Sequence, residues 1–323
     1  MADKEVNMTE QKPKATRDGF GEGLVELAKT NKDVVVVSAD LTESTRASWF
    51  KEIAPERFFA IGIAEQDMFG AAAGLALCGK TAFACTFAVF ASGRAWDQVR
   101  ISLCYMNLDV KIGATHGGIS VGPDGATHQA LEDIAIMRAL PNMKIIVPAD
   151  AYQAKKATIA AVSLRGPVYI RTGRSAVPYV TSAGDDFKLG KADVLQEGKN
   201  VAIIACGVMV KNSLEAAKIL SAKGISAMII NMHTIKPIDA DIISSAAQQT
   251  GAIVTCEEHS VIGGLGGAVA EVVAKKGPVV PVEMVGVNDV FGESGQPDEL
   301  MKKYRLTPED IVIAALKAIK RKK

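Results

Sequence analysis

The sequence lacks an excess of charge of either sign: 37 Lys plus Arg face 36 Asp plus Glu, a formal net charge of +1 over 323 residues. That balance excludes the broad field that would draw in nucleic acid or an anionic membrane, so any anion must be bound locally. Paired cysteines are lacking too. Cys78, Cys85, Cys104, Cys206 and Cys256 form no C-x-x-C spacing, and an odd, unpaired set in a chain this long suits a reducing compartment, the cytoplasm. No apolar run approaches the roughly 20 residues of a membrane-spanning helix. The longest starts at Met68 and breaks at Gly79 and Lys80. The opening residues carry no apolar stretch of the signal-peptide kind and predict a flexible tail over 1–14. There is no internal repeat and no low-complexity tract, and histidine is scarce, with four in all.

What is present is alternation. Short β-branched runs at 34–38, 58–62, 111–115, 144–147 and 168–171 read as strands buried on both faces. Segments with helical spacing separate them, at 20–30, 65–77, 91–105, 131–139 and 152–164. This predicts a mostly parallel sheet with crossover helices. Between 179 and 200 the texture turns to Pro, Ser, Gly, Asp and Lys without periodicity, and a second, smaller series follows. Its strands are expected at 201–206, 226–231, 252–256 and 280–285, and its helices at 211–223, 240–249, 266–276 and 308–319. The expected class is α/β: two doubly wound domains, 15–185 and 186–323 after the tail 1–14. At this length each can bury a sizeable core. The final basic run, Lys320 to Lys323, reads as a solvated terminus.

Doubly wound sheets bind ligands beyond the carboxyl ends of their strands. Polar residues gather at those positions in the first domain: Asp40, Glu43 and Ser44 after the first run, Glu65 after the second, and His116 through Asp124 to His128 after the third. Glu65 precedes a helix made almost wholly of Ala, Gly, Leu, Met and Phe. Dry surroundings favour the neutral, hydrogen-bond-donating form of a carboxylic acid, although a helix N-terminal carboxylate satisfying free amides is the simpler reading. His116 and His128 flank a loop with Gly117, Gly118, Gly122 and Gly125. Long Gly-rich segments inside compact domains are more often functional than not, and the histidine spacing fits no helical metal motif. Phe87 and Phe90, three residues apart, read first as core. Arg17, Arg171 and Arg174 lie near segment boundaries, where a guanidinium can grip a phosphate bidentately. In the second domain, Gly263-Gly264-Leu265-Gly266-Gly267 matches neither G-x-G-x-x-G nor a P-loop, and close helix packing explains it better. His233 and His259 read as structural.

Taken together, Ser38-Ala39-Asp40-Leu41-Thr42, Ile61-Gly62-Ile63-Ala64-Glu65-Gln66, Thr86-Phe87 with Phe90, and Ala114-Thr115-His116 through Gly125-Ala126-Thr127-His128-Gln129 resemble the pyrimidine-binding domain of transketolases. The likeness continues through Leu140-Pro141-Asn142 and Pro148-Ala149-Asp150 into a second domain similar to the transketolase C-terminal domain. The resemblance implies thiamine diphosphate as cofactor. Glu65 matches the glutamate that hydrogen-bonds the pyrimidine nitrogen para to the exocyclic amine, favouring the tautomer that removes the thiazolium proton. The activated cofactor then carries a two-carbon unit from ketose to aldose. Phe87 and Phe90 match aromatics around the pyrimidine ring, and His128 a histidine beside its amino group; Asp40, just after the first strand, belongs to the same cofactor-binding set. Arg17, Ser44, His116 and Arg174 match groups that hold the sugar phosphate, Asp124 one that recognises a substrate hydroxyl, and Arg171 is a weaker candidate for the phosphate.

Two positions depart from the pattern: Gly93 stands where many transketolases have a stacking aromatic, and Gln66 where many have histidine. The Gly-Asp-Gly motif that holds diphosphate through Mg2+ (or Ca2+) occurs nowhere in the chain. The resemblance therefore implies an N-terminal transketolase subunit as partner, which would hold the metal, with this chain contributing no metal ligand. A two-plus-two heterotetramer joined through the Glu65 domains and acting on sugar phosphates is expected, without nucleic acid or membrane. Two alternatives stay open: the beta subunit of a 2-oxoacid dehydrogenase decarboxylase component, against which the His116 to His128 segment stands, and a non-catalytic ligand-binding module.

Overall fold

The computed structural model describes residues 11–322. Residues 1–10 of the expected tail lie outside the described residues, whereas Lys14–Ala15 pairs antiparallel with Ala176–Val177. Both domains are doubly wound α/β units. Among the described residues the first sheet has seven strands, in the order Thr234–Lys236, Lys144–Ile146, Val168–Arg171, Val110–Thr115, Thr81–Phe87, Val34–Ser38, Phe58–Ala60. All its pairings are parallel except the first. The central strands are buried throughout because helices cover both faces, which is what their continuous β-branched composition requires.

Helices Thr16–Thr30 and Ala151–Ala161 pack together on one face, where Phe20, Leu24 and Leu27 meet Val34, Val36, Phe83 and Ile170 in one cluster. A glycine permits that close crossing: a Cβ on Gly19 would sit 2.1 Å from the Ala151 carbonyl oxygen. Helix Glu65–Leu77 covers the other face with Met68, Phe69 and Ala72.

The second sheet runs Val282–Val287, Ile253–Ser260, Val201–Ala205, Ala227–Asn231, Asp193–Gln196. Helices Met209–Ser221 and Pro308–Lys320 cover one face, and Ala240–Thr250 and Leu265–Lys276 the other. One core cluster runs through both domains, joining Met137, Ile145 and Val147 to Ile204, Ile230 and Val269. No helix among the described residues is long and apolar enough to cross a membrane.

Four features differ from the sequence expectation. Thr81–Phe87 is a central strand in a segment with no expected strand, because its alternating Ala and Cys dilute the β-branched signal. The helix expected over 91–105 breaks at Gly93 and continues as Trp96–Gln98 and a π-helical Val99–Tyr105. The stretch between 179 and 200 contains an antiparallel edge strand, Asp193–Gln196. Finally, Thr234–Lys236 leaves the second domain to complete the first domain's sheet.

Candidate active site

Strands Val34–Ser38, Thr81–Phe87 and Val110–Thr115 are parallel neighbours, so their carboxyl ends open on one edge and deliver Asp40, Phe87 and His116 there. Asp40 and His116 both adopt left-handed backbone, with φ of 57° and 59°. Such conformations in non-glycine residues persist only where the surroundings dictate them. Phe87 and Phe90 lie nearly parallel, centroids 5.8 Å apart at 16°, and His128 meets Phe90 edge-on at 5.4 Å and 73°. His116 stacks on Phe87 at 3.8 Å.

Glu65 is only 2 % exposed and begins its helix. Its carboxylate lies 3.5 Å from the Arg94 guanidinium, which itself sits 4.3 Å over the Phe90 ring. The helix N-terminus also favours an acidic group, so the simpler reading of Glu65 and the functional one describe the same carboxylate. A flat nitrogen heterocycle offering a face to phenylalanine and a ring nitrogen to the protonated form of Glu65 fits this set of side chains.

Beside the aromatic pair a solvent-open cleft of about 250 Å³ is lined by Arg17, Arg46, His116, Asp124 and Arg174, with Ser44, Glu43 and Phe87 at its walls. Arg17 Nη1 donates to the Ser44 carbonyl at 3.0 Å and meets His116 Nε2 at 3.3 Å. Because a guanidinium only donates, Nε2 is the acceptor and the imidazole proton sits on Nδ1, facing Thr115 Oγ1 at 2.9 Å. Burial first, then the charges of Arg17, Arg174 and Arg46, push the His116 pKa down to about 3. The ring is neutral at neutral pH. Arg17 Nε is buried without a partner, and burial followed by the nearby Arg46 lowers its pKa. An unpaired buried donor on a cation can receive an anion or a bound water. Arg174 pairs with Asp124 at 3.1 Å.

The structure brings Arg17, Ser44, His116, Asp124 and Arg174 into the cleft and Glu65, Phe87, Phe90 and His128 beside it. Asp40 stands at the same strand edge without lining the cleft, and Arg171 does not reach it. Asp40 is exposed and its side chain makes no hydrogen bond among the described residues. Arg171 is buried, with Nε 2.8 Å from Asp133 and Nη2 donating to the Ala130 and Glu258 carbonyls. Although burial opposes its charge, Asp133 raises its pKa. It is a joint between domains rather than a phosphate ligand, and the strand-end position that suggested the phosphate role says nothing about what a side chain faces.

Sequence reasoning missed Arg46, Arg94 and Glu258. Arg94 follows the Gly93 break that interrupts helical spacing. Glu258 lies far off in the chain, yet its carboxylate accepts from the Ser120 amide of the histidine loop, and Gln129 of that loop donates to the Glu293 carbonyl at 2.9 Å. The second domain thereby fixes the loop that carries His116 and His128.

Comparison with known proteins agrees with this geometry. The family model described as transketolase, pyrimidine binding domain, matches residues 12–180, and that of the transketolase C-terminal domain residues 190–311. A Methanocaldococcus jannaschii protein named for the transketolase C-terminal section is 48% identical over 310 residues, 95% of this chain and 97% of that one. A 6-deoxy-6-sulfo-D-fructose transketolase subunit of Clostridium sp. (strain MSTE9) is 42% identical over 306 residues, 95% of each chain. Among solved structures, one titled as a split gene transketolase, inactive beta4 tetramer, superposes with a TM-score of 0.89 at 51% identity, covering 97% of this chain and 100% of that one. Domain models over both halves and relatives aligned almost end to end leave one conclusion: the chain belongs to the transketolase family and represents its pyrimidine-binding and C-terminal half.

Proposed function

We propose that this chain is the C-terminal subunit of a split transketolase, moving a two-carbon ketol unit from a ketose phosphate to an aldose phosphate. The observation that carries the reading is the adjacency of two unlike sites on one strand edge: the buried Glu65 beside the Phe87–Phe90 pair, and the arginine-lined cleft that begins at Phe87. Thiamine diphosphate, when bound, supplies the carbon nucleophile and holds the two-carbon unit. Glu65 would hydrogen-bond a pyrimidine nitrogen, Phe87 and Phe90 would exclude water from the ring, and His128 would stand beside its amino group. Arg17, Ser44, His116 and Arg174 would hold the phosphate, and Asp124 a hydroxyl. In the cleft, the neutral His116 keeps its Nε2 lone pair towards Arg17, so it orients that guanidinium without adding repulsive charge.

The diphosphate and its Mg2+ are assigned to an N-terminal partner subunit, since the Gly-Asp-Gly motif is missing here. Self-association through the first domain is supported by apolar side chains left in water around the Glu65 helix: Ile63, Leu77 and Tyr105 are 75%, 63% and 82% exposed. Two such domains paired at the centre of a two-plus-two complex would cover them. Five free cysteines, four of them buried, support a cytoplasmic home.

The test is co-expression with a chain carrying the missing motif, followed by assay of glycolaldehyde transfer from xylulose 5-phosphate to ribose 5-phosphate with thiamine diphosphate and magnesium. Activity in the mixture alone, abolished by Glu65→Gln, is expected. A cofactor-loaded complex that decarboxylates a 2-oxoacid and ignores sugars would replace this reading with the dehydrogenase one.

A further inference from the structure

Three guanidiniums line the cleft, and one of them, Arg46, has no counterpart among the residues that the resemblance marks. Arg46 holds a left-handed backbone, φ 66°, at the residue before helix Ala47–Ile53. A conformation so unfavourable for an arginine persists where the surroundings over-determine it, commonly at ligand sites. Its side chain is equally constrained. Nε meets Asp18 Oδ1 at 2.6 Å, Nη1 donates to the Glu43 carbonyl at 3.1 Å, and the guanidinium lies 5.5 Å from the Trp49 ring centre. These ties hold the guanidinium from two sides, and Nη2, between them, makes no hydrogen bond among the described residues. The neighbouring Arg17 has a buried Nε without a partner and no carboxylate within ion-pair reach among the described residues.

The acidic groups facing the cleft are already engaged. Asp18 holds Arg46 and Asp124 holds Arg174, and Glu43 accepts from Ser48 Oγ at 3.0 Å while keeping its charge at the cleft wall. The cleft therefore offers more donor N–H groups than it has acceptors. A neutral hydroxylated chain end can accept from a guanidinium but brings no opposite charge, whereas a phosphate presents three acceptor oxygens and up to two negative charges.

We propose that Arg46 is a specificity-determining residue: its free Nη2 donors complete, with Arg17 and Arg174, a three-guanidinium grip that selects phosphorylated sugars over uncharged ones. This rests on the reading of the cleft as the sugar-phosphate site. Asp18 acts as a positioning residue, since it fixes the plane of the fork. Arg46 owes its place to a local backbone turn and not to a strand end, so it can vary independently of the residues that hold the cofactor.

The test uses the chain assembled with its partner subunit and compares kcat/KM for a ketose phosphate with that for the same ketose without phosphate. In Arg46→Gln the ratio is expected to fall about 10- to 100-fold, the range of a charge-assisted hydrogen bond, with the loss in KM rather than kcat. Arg46→Lys should recover part of it, because the charge returns without the fork. Inorganic phosphate should raise the melting temperature of the chain alone, and raise it less in Arg46→Gln. Should Arg46→Gln fold poorly because Asp18 is left unpaired, the double variant Asp18→Asn/Arg46→Gln removes that carboxylate as well, and the same fall is expected. An unchanged ratio in Arg46→Gln alongside a fall in Arg17→Gln would overturn the role of Arg46 and leave the cleft reading standing. A ratio unchanged in Arg17→Gln, Arg46→Gln and Arg174→Gln alike would overturn both.

Discussion

The two sheets end in edges of opposite character. In the first domain the carboxyl ends of the strands open into a cleft where Arg17 keeps a buried donor unpaired and three guanidiniums crowd a neutral histidine. In the second, the comparable edge is turned against the first domain and satisfies itself. Its Gly-rich segment opens helix Leu265–Lys276, whose first amides donate to Glu257: Leu265 N at 2.7 Å and Gly266 N at 2.8 Å. A Cβ on Gly264 would lie 2.0 Å from that carboxylate. A helix start of this kind attracts an anion, and here the chain supplies it from the preceding strand. The same α/β edge thus serves as a ligand site where its polar groups are left unsatisfied, and as a docking surface where they are closed internally.

Breaking the closed side should cost most. Arg171→Ala leaves Asp133 buried without its guanidinium; among the described residues the Tyr169 hydroxyl then alone donates to its side chain, at 2.9 Å, with His259 Nε2 4.0 Å away. A loss of about 3–5 kcal/mol is expected from chemical denaturation, and a loss below 1 kcal/mol would show that the joint does not depend on the pair. Next comes Glu257→Ala, which strands buried helix-start amides at about 1–3 kcal/mol each. Turnover of the complex that remains folded should not change, and a drop in turnover would blur the contrast between the edges.

On the open side, acid is the milder probe. His116 titrates near 3 in the folded chain and near 6.5 unfolded. Between those values the unfolded state binds the extra proton, so stability is full above about pH 6.5 and is lost as pH falls, by up to about 1.4 kcal/mol per pH unit. His116→Asn should make the pH dependence of unfolding correspondingly shallower between pH 6 and 4. The smallest effect is expected at Arg17. Arg17→Met relieves the repulsion with Arg46 and Arg174 but removes the donor to the Ser44 carbonyl and to His116, so the unfolding free energy should change by less than about 1 kcal/mol while phosphate binding weakens. A loss above about 3 kcal/mol with phosphate binding unchanged would mark the cleft as a structural cluster and not an anion site.

Much of the architecture was legible because the β-branched runs around Val36, Ile145 and Tyr169 are both strand-forming and uniformly apolar, as strands buried on two faces must be. Thr81–Phe87 escaped for the opposite reason: Ala82, Ala84 and Cys85 pack in the centre of the sheet without carrying a strand signature. In the site, Glu65 and the two histidines stood out by position after a strand or in a Gly-rich loop, whereas Phe87 and Phe90 read as core and were marked only by the resemblance to transketolases. Arg46 did not, because nothing in Ser44-Thr45-Arg46-Ala47 announces a left-handed turn.

Local composition and spacing were enough to set the alternation of strands and helices, the two-domain order, the residues after each strand end and the absence of the diphosphate motif. Folding in three dimensions added that Thr234–Lys236 completes the other domain's sheet, that Arg171 pairs with Asp133 while Arg17 finds no carboxylate among the described residues, that Glu257 fills the second domain's helix start, and that Glu258 holds the histidine loop. The strand exchange depends on backbone pairing between distant segments, and the others on which buried polar or charged group finds a partner across a long stretch of chain. Burial makes that choice decisive, because an unpaired charge away from water is costly and every neighbour must be arranged around it.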